Sequence, residues 1–267
     1  MKDVRIATIV CNCIVGETKK NIVSMEKWIT AAKKANADII CFPELNITGY
    51  SNRKEILNNA EPIPGPATKD LLKTANINNI IILAGLVEKN KEDGFFVSHL
   101  VIKPDGFVGV YRKLHISPPE QKVFTPGNKI VLFKTSNLIF GIQLCYDAHF
   151  PELSTYMAVQ GADVIFIPHA SPRGTPDAKY ESWMRHLPAR AYDNGVFIVA
   201  CNQTGDNGNG LNFAGIGVVI GPSGEIIARD VSGTETMLVT DLKARDLDNV
   251  RGHKMRYFLP NRRPEIY

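Results

Sequence analysis

Short apolar runs alternate along this chain with longer segments in which apolar residues recur every three or four positions. Residues 4–10 form one such run and read as a buried strand. The stretch 18–36 follows, with Ile22, Met25, Ile29 and Ala32 on one face, the spacing of an amphipathic helix. A strand at 38–42, a helix near 67–76 and a long apolar strand at 80–87 continue the alternation. Strands at 95–103 and 107–113 flank the turn Pro104-Asp105-Gly106. In the second half, strands at 130–134 and 138–144 lead to a helix at 151–160 and a strand at 164–167. A helix over 177–193 carries Trp183 and Arg190 and should kink at Pro188. A strand at 196–201, a hairpin around Gly221-Pro222-Ser223-Gly224 and a strand at 237–240 complete the pattern. The glycine- and asparagine-rich stretch 205–210 reads as loop. Both halves share a strand–helix–strand organisation without a sequence repeat, and an α/β layered sandwich fits it.

Composition narrows the setting. Of the 267 residues, 44% are hydrophobic and 22% charged, ordinary for a globular chain. No Pro/Gly/Ser-rich linker or like-charge block divides it, so a single domain over 1–267 is expected. The net charge of +4 is spread out and gives no basic stripe, which leaves nucleic-acid binding without support. No apolar run approaches the roughly 20 residues that cross a bilayer, so no membrane partner is expected. The opening Met1-Lys2-Asp3-Val4-Arg5 sets charges where a secretory signal needs apolar residues. Five cysteines are an odd number with no dense framework. A cytoplasmic protein with reduced thiols is the expectation. Cys11 and Cys13 have no second pair nearby, so no metal site is expected there. Cys41 and Cys201 lie in apolar runs and are expected in the core.

Three polar residues that close apolar runs carry the candidate chemistry. Cys145 follows the run 138–144 and precedes Phe150-Pro151-Glu152, where Pro151 and Glu152 suit the first turn of a helix. A thiol at a strand-to-helix junction is partly exposed and lies near the positive end of a helix dipole, which favours thiolate. The plainer alternative is a core cysteine packed as a small hydrophobe. Glu44 follows the run ending Cys41-Phe42-Pro43, at the carboxyl end of a strand, where α/β sheets collect ligand chemistry. A helix cap or surface ion pair would explain that glutamate equally well. Lys113 closes the strand 107–113, and a lone lysine is normally a solvated charge. Because each of the three closes its own apolar strand, all can point into one cleft.

Together these segments resemble the nitrilase (carbon–nitrogen hydrolase) superfamily. Its catalytic Glu, Lys and Cys occur in this order, in surroundings like Phe42-Pro43-Glu44, Tyr111-Arg112-Lys113-Leu114-His115 and Cys145-Tyr146-Asp147. The resemblance extends over essentially the whole chain, through Pro104-Asp105-Gly106, Phe124-Thr125-Pro126-Gly127, Ala189-Arg190-Ala191-Tyr192-Asp193-Asn194, Cys201-Asn202-Gln203-Thr204-Gly205 and Gly221-Pro222-Ser223-Gly224-Glu225. It implies a four-layer α-β-β-α sandwich and a second glutamate, matched by Glu120. One departure is Val97-Ser98-His99, where many members have an Asn-Ser pair. The implied mechanism has Cys145 attack a carbonyl carbon to form a thioester, while Glu44 moves protons as base, acid and base again. Lys113 and the N–H of Tyr146 would hold the oxyanion, with Glu120 orienting Lys113 or the substrate. Lys113 is also expected to keep Glu44 ionised and Cys145 acidic. True nitrilases tend to show Trp-Glu after the nucleophile, so Tyr146-Asp147 leans towards amides or N-carbamoyl compounds.

The remaining polar candidates surround that triad. His149, four residues past Cys145, is read as a pocket wall or a residue leading into the helix. Nothing marks an Asn or Asp to orient it as a protease base. His115 is expected to support the lysine strand, and His169, after 164–168, to line the pocket. Arg173, Lys179 and Arg185 are the candidates for a substrate carboxylate, Arg173 foremost, and simple surface charge is the alternative for two of the three. Trp183 and Tyr146 could form an apolar wall, although Trp183 could equally be helix packing. No Gly-rich phosphate cradle is present, so neither metal nor nucleotide cofactor is expected. The expected partner is a small amide or carbamoyl substrate, and the resemblance implies a homodimer or larger homo-oligomer using the C-terminal 259–267. Capture of the thioester by an amine would make an acyltransferase. A non-catalytic binding scaffold is the alternative of a different class, but it has no need of Glu44, Lys113 and Cys145 together.

Overall fold

The central strands are almost wholly apolar because both of their faces are covered. In the computed structural model, which describes residues 1–90, 92 and 94–266, they form two six-stranded sheets. In the first, β1 (Val4–Val10), β2 (Ile39–Cys41) and β3 (Ile81–Asn90) run parallel. Strands β4 (Gly94–Ile102) and β5 (Val108–Arg112) extend it antiparallel, so β5 points the same way as β3. The second sheet begins with β6 (Leu132–Lys134) and has β7 (Ile139–Ile142), β8 (Val164–His169) and β9 (Phe197–Asn202) parallel at its centre. A two-stranded pair, β10 (Gly205–Asp206) and β11 (Asn212–Phe213), precedes β12 (Gly215–Ile220) and β13 (Ile226–Gly233), which finish that sheet. Strand β14 (Thr236–Leu242) then returns to pair antiparallel with β1. The orders are β14-β1-β2-β3-β4-β5 and β13-β12-β9-β8-β7-β6, the same plan in both halves.

The period-two alternation of the strands sorts their side chains into two cores. On the first sheet, Ile6, Ile39, Leu83, Val87, Val97, Val101 and Tyr111 join the second sheet's Phe140, Ile142 and Phe166. Their neighbours Ala7, Ile9, Ile40, Ala84, Leu86 and Leu100 face the other way. There they meet Ile22, Met25, Ile29 and Ala32 of α1 (Thr18–Lys34), the predicted helix face, and Ala67, Leu71 and Ala75 of α2 (Pro66–Asn78). Helices α3 (Pro151–Val159), α4 (Pro176–Met184) and α5 (Leu187–Asn194) lie against the second sheet, which completes the four layers α-β-β-α. Each fully buried Ile or Phe on these faces contributes roughly 1.5–3 kcal/mol. Cys11, Cys13, Cys41 and Cys201 are all buried. Among the described residues no helix is long and apolar enough to cross a membrane.

Three elements differ from the sequence reading. The helix expected over 177–193 is two helices, because Pro188 lacks an N–H and its ring excludes the carbonyl four residues back. It therefore opens α5 instead of kinking one long helix. The expected loop at 205–210 is held by the β10–β11 pair and by buried Asn207, whose Oδ1 accepts the Asn209 and Leu211 N–H groups. Helix α6 (Ala244–Arg251) was not anticipated, since Leu247 and Val250 are its only buried residues and leave little apolar period to read.

The loop after β2 is pressed onto the loop after β1, with the Gly16 N–H donating to Thr48 O. Gly49 sits in this contact at φ 74°, and a Cβ there would lie 2.5 Å from the Val15 Cα. Both the left-handed backbone and the close approach require glycine. Gly49→Ala should destabilise the fold by on the order of 2 kcal/mol. Urea unfolding checks this, and an unchanged midpoint would contradict the contact.

Candidate active site

All the parallel strands, and β5 with them, end at the same edge of the two facing sheets, where open α/β sheets bind ligands. From the first sheet, the chain past β2 supplies Glu44 and the residue after β5 is Lys113. The second supplies Cys145 after β7, Ala170 after β8 and Gln203 after β9. The Lys113 ammonium, 1% exposed, lies 2.9 Å from Glu44 Oε1 and 3.1 and 2.9 Å from the two oxygens of Glu120. Glu120 also accepts the Ser117 N–H at 3.0 Å. Glu44 Oε2 accepts the Ala170 N–H at 2.9 Å, and its carbonyl accepts Gln203 Nε2 at 2.8 Å. Glu44 therefore ties the ends of both sheets together.

Cys145 opens a 3-10 turn, Cys145–His149, and has φ 45°, a left-handed conformation uncommon for a non-glycine residue. Such outliers cluster at functional sites. The turn is fastened by Asp147. Its buried carboxylate accepts the Leu144 N–H at 2.9 Å, and Tyr111 Oη, the His115 N–H and His115 Nδ1 at 2.8 Å each. The His115 ring stacks on Phe150, with centroids 3.8 Å apart. His115 thus ties the chain just past β5 to the turn that Cys145 opens. Helix α3 starts at Pro151, as the sequence predicts, but Cys145 lies six residues before it, beyond the first turn over which the dipole acts.

The electrostatics also correct an expectation. Burial pushes the Cys145 thiol up, the Glu44 charge pushes it further, and Lys113 only partly opposes them. The resting form is thiol. Burial raises Glu44 to about 7, with Lys113 pulling down and Glu120 pushing up. Burial would lower Lys113, but Glu44 and Glu120 hold it well above the ordinary lysine range. The site therefore holds a firm cation, a proton-bearing sulfur and a carboxyl poised near neutrality.

Of the other sequence candidates, His169 is buried, with Nδ1 on Ile167 O at 2.7 Å and its ring against Trp183. Burial holds it neutral, well below the usual histidine range. Tyr146 is half-buried and meets Phe150 edge-on. His149 is exposed and leads into α3, against Tyr146 and His186. Arg173 is exposed, at φ 68°, and its backbone N–H donates to Asn212 O at 2.8 Å. The structure does not bring it to the Lys113 cluster. Ser98, in the atypical Val97-Ser98-His99 segment, donates to Glu88, which also pairs with Arg112. Sequence reasoning missed Asp147 as a lock, Ala170 and Gln203 as partners of Glu44, and buried Tyr50, whose phenol feels Glu120, Glu44, Lys113 and Cys145. Asp147 could have been suspected from its place two residues past Cys145.

Asp147→Asn keeps the shape but swaps an acceptor oxygen for a donor, stranding buried donors. A loss of roughly 1–3 kcal/mol is expected, with altered alkylation of Cys145 by iodoacetamide. Denaturant unfolding and mass spectrometry read both, and wild-type values in both would refute the lock.

Known proteins repeat this organisation. The profile of the carbon-nitrogen hydrolase family matches residues 5–251. A nitrilase of Pyrococcus abyssi is 32% identical over 270 residues, 99% of each chain. An N-carbamoylputrescine amidase of Solanum lycopersicum is 30% identical, over 94% of this chain and 89% of its own. The fold matches the amidase from Nesterenkonia sp. AN1 with a TM-score of 0.84 at 24% identity, over 98% of this chain and 95% of the other. In that structure, of a variant, the acetamide moiety of fluoroacetamide is added covalently at the active site cysteine. The profile match across the β-sandwich and the full-length relative settle the family: this chain belongs to the carbon–nitrogen hydrolases.

Proposed function

We propose that this chain, as one hydrolase domain, is a cysteine-dependent amidase that cleaves small non-peptide C–N bonds through a thioester and releases ammonia. The observation that carries this reading is the Lys113 ammonium held between Glu44 and Glu120 beside a largely buried, free cysteine. In the proposed cycle, Glu44 takes the Cys145 proton as sulfur attacks the carbonyl carbon. The negative charge moves to the carbonyl oxygen, where Lys113 Nζ and the Tyr146 N–H receive it. Glu44 then protonates the departing nitrogen, and afterwards deprotonates the water that cleaves the thioester. A carboxyl near 7 suits both directions of transfer. Glu120 positions Lys113 by its two contacts.

A covalent adduct at the active site cysteine of the amidase relative supports the nucleophile assignment by analogy. The N-carbamoylputrescine amidase relative favours a second reading, in which the substrate is an N-carbamoyl compound and carbon dioxide leaves with ammonia. For assembly we propose a homodimer, because Tyr156, Val159, Tyr192 and Phe258 expose apolar surface near one another on and around α3 and α5. Light scattering showing a monomer would count against that.

Ammonia release from a panel of amides, N-carbamoyl compounds and nitriles tests the main reading. Cys145→Ala and Glu44→Gln should abolish turnover, and equal release by wild type and Cys145→Ala would remove Cys145 from the mechanism. In the wild type, kcat/KM should rise with pH up to about 7 as Glu44 loses its proton and becomes a base, then level off. A rate that falls through that range contradicts the assignment. Lys113→Met should cost on the order of 10²–10³ in rate. It should also lose roughly 3–5 kcal/mol of stability, because two buried carboxylates lose their counter-ion.

A further inference from the structure

The end of β8 holds a cation that the proposed cycle does not use. Lys179 and Trp183 are four residues apart on α4 and so share one face. Trp183 lays its ring against His169, with centroids 4.2 Å apart. One turn earlier, Lys179 Nζ donates to Ser171 Oγ at 2.7 Å and to Pro172 O at 3.2 Å. Ser171 is itself fixed, donating to Asn202 Oδ1 and accepting from Asn202 Nδ2. The preceding residue, Ala170, is the one that binds Glu44. The ammonium is therefore anchored one residue along the chain from the reacting cluster.

Both partners of Lys179 are neutral, and among the described residues no carboxylate lies within ion-pair distance of it. Two of its three protons are used, which leaves one free. Burial pushes Lys179 below the ordinary lysine range, and Cys145 would pull it back up only once its sulfur is ionised. A half-buried ammonium without a counter-ion is costly until an anion arrives.

We propose that Lys179 is a specificity-determining residue that binds a carboxylate carried by the substrate at the end remote from the scissile C–N bond. This deepens the hydrolase reading and rests on it. The substrate class is then the monoamides of short dicarboxylic acids, or their N-carbamoyl counterparts. Of the three sequence candidates, Lys179 takes this role in place of Arg173. A cationic substrate would meet like charge at this wall.

The test compares malonamate, succinamate and glutaramate with neutral amides of matching length. Wild type should favour the best carboxylate, and Lys179→Met should cut that preference, as a ratio of kcat/KM values, roughly 10- to 100-fold. Lys179→Arg should keep most of it, and Lys179→Glu should turn it towards amino-terminated amides. A ratio that Lys179→Met leaves unchanged, in a variant with a wild-type melting profile, overturns the proposal. Calorimetric titration of the same carboxylates into Cys145→Ala, with and without Lys179→Met, reads recognition apart from turnover. Hydrolysis of neutral amides with no carboxylate preference sinks the anion site and spares the hydrolase. Lysine-dependent carboxylate binding with no amide hydrolysed by wild type supports the anion site and sinks the hydrolase reading.

Discussion

Lys113 pairs with two buried carboxylates, and the rest of the site is arranged around the cost of that cluster. Taking one ion out of water costs several kcal/mol even after relaxation. Three ions are tolerable only if each finds charged or N–H partners. Lys113 has Glu44 and Glu120, Glu44 has the Ala170 N–H, and Glu120 has the Ser117 N–H. Two of these partners lie on different sheets. The cluster thus requires the strand ends of both sheets to meet at one edge, and the apolar faces between the sheets bring them there.

A second buried carboxylate does for geometry what the first cluster does for charge. Tyr111 lies in β5, and Lys113 and His115 follow at two-residue intervals just past its end. The outer pair grip Asp147, while the middle residue enters the ion cluster. The lysine strand and the cysteine turn are consequently one unit across the inter-sheet gap. Asp147 also takes the Leu144 N–H, so the left-handed Cys145 is flanked by a fixed bond on its N-terminal side. That explains how an unfavourable φ persists in a short turn.

Much of this was legible in the sequence because the strands are buried on both faces and read as bounded apolar runs. Glu44, Lys113 and Cys145 stood out as polar residues closing such runs, and the four-layer arrangement followed from the resemblance their order carried. What the sequence hid was set by tertiary contact. Ala170 contributes a backbone N–H, which no side-chain pattern marks. Gln203 and Asp147 act through partners 159 and 36 residues away. The acidity of Cys145 was misjudged for a related reason. A helix dipole was assumed to reach back from Pro151, whereas the thiol, six residues before that helix begins, feels the charge of buried Glu44.

That misjudgement bears on how the proposed chemistry can run. With a thiol at rest, the cluster of Glu44, Glu120 and Lys113 carries one net negative charge. Moving the proton from Cys145 to Glu44 leaves the total unchanged, since the charge shifts from a carboxylate to a sulfur beside the same ammonium. No additional charge has to be desolvated in the dry cleft, so the thiol's raised pKa and the carboxyl's near-neutral one are two aspects of a single coupled titration. The ammonium need not ionise the cysteine in advance. Its task is to remain cationic while the negative charge passes from carboxylate to sulfur to the carbonyl oxygen, and two flanking glutamates are what keep a fully buried lysine charged through that sequence.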